Sequence, residues 1–185
     1  MTPPRAVLDA CVLVPIALCD VLMELADDRL FRPLWSETIL GEVERALTDK
    51  LGLSVDRAGY RIEQMRLAQP RAAVTGFEAL IPGLRNHPKD RHVLAVAVQA
   101  DCPVIVTENL ADFPAEALHP HGVTAVRADD FLLQLLDQDE AAVWAAVERK
   151  RVSYQRPPRT RRQFCDRLTA TAPRFAARLW DMAAR

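Results

Sequence analysis

Three observations predict an α/β fold, with a central parallel sheet between helical layers and a helical C-terminal extension. Short apolar runs alternate with longer segments of helical periodicity, the pattern of strands joined through helices. The clearest run, Pro103-Val104-Ile105-Val106-Thr107, is almost wholly apolar, as expected of a strand covered on both faces. Beyond about residue 135 no further strand pattern occurs, and the composition turns basic and alanine-rich.

Taken in order, residues 5–9 read as the first strand, built on Ala6-Val7-Leu8 and ending at Asp9. A helix follows over 14–28, with Ile16, Leu18, Val21, Leu22 and Leu25 at helical spacing and Pro15 suited to its first turn. Ser36 is a candidate N-cap for a helix that places Ile39, Leu40, Val43 and Leu47 on one face. A third helix is expected over about 54–69, with Ser54 as its cap and Pro70 beyond its end. Residues 72–75 are expected as a short strand, and a loop around 82–89 leads into a helix over about 89–100. After the 103–107 strand, a short helix holds Leu110 to Phe113 and stops at Pro114. Gly122 to Val126 makes the last strand, and Asp129 is expected to cap the helix DFLLQLL that follows. A helix is expected at about 138–151, a break at Arg156-Pro157-Pro158-Arg159, and a helical segment over 160–184 interrupted near Pro173. The expected division is 1–135 for the αβ unit and 136–185 for the extension.

With 185 residues, half of them hydrophobic, the chain can bury one substantial core. No apolar stretch approaches the roughly 20 residues that span a bilayer. The N-terminal residues lack a signal-peptide pattern, so a cytoplasmic location is expected. The four cysteines form no C-x-x-C pair and read as free thiols, and His119 and His121 lack the partners of a zinc site. The net charge of −1 conceals an asymmetry: residues 148–185 carry a local net of +8, leaving −9 on the rest. Such a tail either meets an anionic partner or folds back on the acidic body.

Four acids fall at expected strand ends or on the helix that follows: Asp9, Glu42, Asp90 and Asp112. A parallel sheet opens all its strand ends onto one edge, so distant carboxylates can converge there. Gathered carboxylates repel and resist ionisation, and a hard divalent cation resolves that conflict. Each acid alone has a structural explanation. Asp9 could cap the next helix, Asp90 could favour a helix dipole, Glu42 could lie on a solvated face, and Asp112 could end a loop.

The local frames of these acids carry more than the acids do. VLDACVLVP (7–15), WSETILGEVERAL (35–47), HPKDRHVLAVAVQADCPVIVTENLADFP (87–114) and GVTAVRADDFL (122–132) together make the first 135 residues resemble PIN-domain ribonucleases, in particular VapC-like toxins of type II toxin–antitoxin systems. The resemblance implies a three-layer α/β/α PIN-like domain. It implies Asp9, Glu42, Asp90 and Asp112 as catalytic and metal-binding acids for Mg²⁺ or Mn²⁺. Thr107 and Asn109 match polar positions that orient a carboxylate, water or phosphate, and Ser36 matches a small polar residue before the helix of Glu42. The implied activity is metal-dependent hydrolysis of RNA to a 5′-phosphate and a 3′-hydroxyl. The implied partners are an RNA substrate, a cognate antitoxin and a second copy in a homodimer, with the helices near 14–28 and 35–69 as docking surfaces and no membrane.

The pattern departs from the family's at two places: Cys11 stands where relatives often have Asn, and His87 where many carry an acid. Glu108 is an extra acid that either joins the coordination shell or faces solvent. Arg91, Arg85, Lys89 and the basic tail are candidates for flanking phosphates. For Arg91 and His92 a structural or surface role is equally open. A catalytically degenerate PIN-fold module binding RNA or protein is the alternative. A haloacid-dehalogenase-like phosphatase would want an Asp at position 11, and a receiver domain would want paired acids at the first strand end.

Overall fold

The computed structural model describes residues 3–155 and 157–183. Arg156 of the expected break, Met1 and Thr2 at the N-terminus and the last residue of the expected terminal helix lie outside the described residues.

Four parallel strands form one sheet in the order β2-β1-β3-β4: β1 (Arg5–Leu8), β2 (Arg32–Leu34), β3 (Val104–Val106) and β4 (Thr124–Val126). Central β1 pairs with β2 through Val7 and Leu34 and with β3 through Val7 and Ile105. Ala6, Val7, Leu8, Ile105 and Val106 are fully buried, because helices cover both faces of the sheet. The helices are α1 (Ala10–Leu13), α2 (Ile16–Asp27), α3 (Glu37–Asp49), α4 (Val55–Ala68), α5 (Arg91–Gln99), α6 (Ala115–Leu118) and α7 (Ala128–Gln138), followed by the C-terminal α8 (Glu140–Ser153), α9 (Arg161–Thr169) and α10 (Pro173–Ala183), which pack on α2 and α7. No described helix is long and apolar enough to cross a membrane.

The expected second strand is placed differently. Ala72 to Thr75 contributes a single bridge, Trp35 with Ala73, while the strand itself is Arg32-Pro33-Leu34. A three-residue segment with a central proline has no strand signature in sequence. It forms one here because β2 is an edge strand, where the missing proline N–H costs no ladder bond. Ser36 and Ser54 cap α3 and α4 as expected, accepting from the Ile39 and Arg57 amides.

Asp129 does not cap its own helix. Its buried carboxylate accepts from the Phe175 amide (2.9 Å) and from the amide (3.3 Å) and Nε (2.8 Å) of Arg174, at the start of α10. The acid ties the last helix to the αβ unit. Sequence could not foresee this, because the partner amides lie more than 40 positions away.

Arg149, Arg174 and Arg178 of the basic tail pair with acids of the preceding residues. Arg149 pairs with Glu24 (2.6 Å) and Asp28 (2.8 Å) of the α2 segment, and Arg174 also reaches Asp130. Arg178 approaches Asp137 (3.6 Å) and Glu140 (3.5 Å). The Tyr154 hydroxyl donates to Asp20, and the Arg159 guanidinium stacks 3.6 Å from the Tyr154 ring centre.

Candidate active site

The carboxyl ends of β1 and β3 lie side by side, with the Asp9 amide donating to the Val106 carbonyl at 3.1 Å. This register brings Asp9 and Thr107, the residues directly after the two strands, into contact. The Thr107 hydroxyl, fully buried, donates to Asp9 Oδ2 at 2.7 Å and accepts from the Asn109 amide at 3.1 Å. Asp9 Oδ1 accepts from the Ala10 amide at 2.6 Å, so the acid also caps α1. Asp9 therefore has both the capping contact and a place at the sheet edge.

Cys11 completes this shell. Its Sγ donates to Asp9 Oδ2 at 3.2 Å and accepts from the Glu108 amide at 3.2 Å. Burial, then the charge of Asp9, push the thiol up to about 12, which keeps it a protonated donor. The thiol thus does the orienting work that a polar amide could do at this position.

Asp90 and Asp112 reach the same edge on short 3₁₀ turns, Pro88–Asp90 and Leu110–Asp112. Burial, followed by the charges of Asp9 and Asp112, holds the Asp90 carboxyl above the usual carboxylate range. Asp90 makes no capping bond to α5, so helix capping does not explain its position. His87 joins them. Donor atoms of His87, Asp90 and Asp112 lie within 4.8 Å of one another, the one such group among the described residues close enough to hold a metal ion.

Glu42, on α3, is not part of this group; its Oε2 lies 3.3 Å from His92 Nε2. His92 is buried, and its Nδ1 lies 2.9 Å from the Lys89 carbonyl. Burial opposes a charge on this ring, but Glu42, the Lys89 carbonyl and Asp9 together hold His92 above the usual histidine range. His92 thus lies between Glu42 and the Lys89 carbonyl, on the helix that follows Asp90. Ser36 is buried and engaged in capping, and Arg91 Nε donates to the Asn86 carbonyl at 3.3 Å. Asn109 is exposed beside Thr107. Glu108 Oε1 accepts from the Ala128 amide (3.1 Å) at the start of α7, and Glu108 is not part of the His87, Asp90 and Asp112 group.

The fold brings in two histidines, His87, expected only as a departure from the family's acid, and His92, whose role was open. The available signal was spacing: His87 and His92 lie three residues before and two after Asp90, on the turn and helix that present it.

A family model described as a PIN domain matches residues 5–111. The chain belongs to the PIN-domain family. The match spans β1 to the turn of Asp112 and so covers Asp9, Glu42 and Asp90. A second family model, described as the VapC50 C-terminal domain, matches residues 128–180. Among curated proteins, "Putative ribonuclease VapC50" of Mycobacterium tuberculosis is 45% identical over 103 residues, 56% of this chain. That alignment spans 61% of the relative's length. No solved structure matches this chain.

Proposed function

We propose that this PIN-family chain is a metal-dependent endoribonuclease acting as the toxin of a toxin–antitoxin pair in the cytoplasm. The observation that carries the reading is the convergence of His87, Asp90 and Asp112 beside Asp9 at the sheet's carboxyl edge. The likeness to a relative named as a ribonuclease supports it. The donor set fits a divalent cation: mostly carboxylate oxygens, with the Asp90 carboxylate destabilised first by burial and then by the charges of Asp9 and Asp112.

In this reading Asp9, Asp90 and Asp112 hold Mg²⁺ or Mn²⁺, with Glu42 completing the acidic set through or beside His92. Bound there, such an ion polarises a phosphodiester and lowers the pKa of a water. Thr107 and Cys11 hold the Asp9 carboxylate in one orientation through Oδ2, which limits its reorganisation when an ion or substrate arrives. His92, held against Glu42 at 3.3 Å, offsets part of the acids' negative charge when it is protonated. Asn109 and Arg91 border the site and are assigned to phosphate or water contacts. We read 1–135 as the nuclease unit and 136–185 as an extension docked on it. The antitoxin and a second copy in a homodimer are the expected protein partners.

The test is cleavage of labelled RNA by purified protein with Mn²⁺ or Mg²⁺, alongside folded Asp9→Asn and Asp90→Asn variants. Cleavage abolished by chelator and by either substitution is expected. Full activity in both variants overturns the assignment, and a wild-type protein that binds RNA without cleaving it points instead to a degenerate binding module.

A further inference from the structure

We propose that His87 is itself a ligand of the acid site, and that its imidazole tilts the site from Mg²⁺ toward Mn²⁺ and later first-row divalent ions. This rests on the metal-site reading above and adds a nitrogen donor and a selectivity to it.

The backbone that carries the imidazole is tied to that of the two acids. The His87 amide donates to the Asp112 carbonyl at 3.0 Å, the Asp90 amide donates to the His87 carbonyl at 2.9 Å, and the Asp112 amide donates to the Asn109 carbonyl at 2.9 Å. These bonds fix the backbone of all three donors relative to one another, with Pro88 restricting the turn between His87 and Asp90.

The distance from the ring to Asp90 supplies the second argument. Among the described residues the only hydrogen bond to Nδ1 is a long one from the Lys89 amide (3.4 Å), a weak contact that an ion bound at this nitrogen would replace. The same nitrogen stands 3.5 Å from Asp90 Oδ2, also a lone-pair atom. Two donors about 2.1 Å from one ion, at about 90–110° to each other, are separated by about 3.0–3.4 Å. The observed gap is close to that, and too long for a good direct hydrogen bond. His87 is about half exposed, which leaves open positions for water or phosphate. Mg²⁺ strongly prefers oxygen donors, whereas imidazole suits transition metals, so a nitrogen here biases the choice of ion.

Mn²⁺ added to the metal-free full-length protein tests this by pulsed EPR, which reads nitrogen coupling to the bound ion. Calorimetric titrations with Mn²⁺ and with Mg²⁺ accompany it. A nitrogen coupling is expected in wild type and in His92→Gln, and is expected to vanish in His87→Asp while Mn²⁺ still binds. The ratio of Mn²⁺ to Mg²⁺ affinity is expected to fall about 10-fold in His87→Asp. Bound Mn²⁺ without nitrogen coupling in wild type, or an unchanged ratio in His87→Asp, overturns the proposal. The carboxylate site survives that outcome if Asp90→Asn still removes Mn²⁺ binding. Wild-type Mn²⁺ binding unaffected by Asp90→Asn overturns both.

Discussion

Replacing Thr107 with valine deletes one hydroxyl from a fully buried position and nearly preserves shape. Three contacts go with it: the 2.7 Å donation to Asp9 Oδ2, the 3.1 Å bond accepted from the Asn109 amide and a weak 3.4 Å contact with Cys11 Sγ. A hydrogen bond to a carboxylate contributes about 1.5–3 kcal/mol, and the valine leaves that oxygen with only the weak Cys11 thiol donor. The Asn109 amide belongs to an exposed residue, so water replaces most of its loss. Together these give a destabilisation of about 2 kcal/mol, or about 4–8 °C in Tm for a chain of this size. Thr107→Ser keeps the hydroxyl and loses one methyl, costing about 1 kcal/mol or less. The assay pairs thermal or urea denaturation with Mn²⁺ titration, where Thr107→Val is expected to weaken binding about 10- to 100-fold and Thr107→Ser far less. If Thr107→Val unfolds within about 0.5 kcal/mol of wild type and binds Mn²⁺ equally well, Thr107 does not hold Asp9 as argued.

Asp129→Ala removes the cap of α10 and leaves the buried Phe175 amide without its acceptor, a loss of about 2 kcal/mol measurable by denaturation. Asp130→Ala, at an exposed ion pair, is expected to cost under about 0.5 kcal/mol. Because Asp90 holds its proton more tightly folded than unfolded, metal-free protein loses stability as pH rises from the unfolded carboxylate value through the raised folded one. Asp90→Asn is therefore expected to melt higher than wild type at neutral pH in chelator, with the gain fading near pH ~3.5; no gain at neutral pH would contradict the repulsion. His92 has the opposite charge type: its raised value stabilises the fold fully below about pH 6.5 and the contribution is lost as pH rises through the folded value. Glu42→Gln is expected to cost about 1 kcal/mol near pH 6 and little in alkali, checked by denaturation across pH.

Much of the architecture was legible because burial on both faces leaves a local mark. Ala6-Val7-Leu8 and Val104-Ile105-Val106 are apolar runs because no side of a central parallel strand meets water. Ser36 and Ser54 announced helix starts, since capping is a bond within three residues. The edge strand Arg32–Leu34 left no such mark, because an edge tolerates proline and needs few apolar positions. Asp129 was legible as a capping residue but not as the cap of a helix more than 40 positions away.

The sequence by itself determined the alternation of strands and helices, the order of the acids and the polar Thr107 beside them. Those follow from periodicity and local bonding, which act between neighbours in the chain. Only the tertiary structure decided which side chains share the site. The parallel register of β1 and β3 set Thr107 and Cys11 on Asp9, and backbone bonds between the turns of His87 and Asp112 made a mixed nitrogen and oxygen cluster around Asp90. It also paired Glu42 with His92 and drew the basic tail onto the acidic body. These are contacts between residues far apart in the chain, and their chemistry depends on distances that no local pattern encodes.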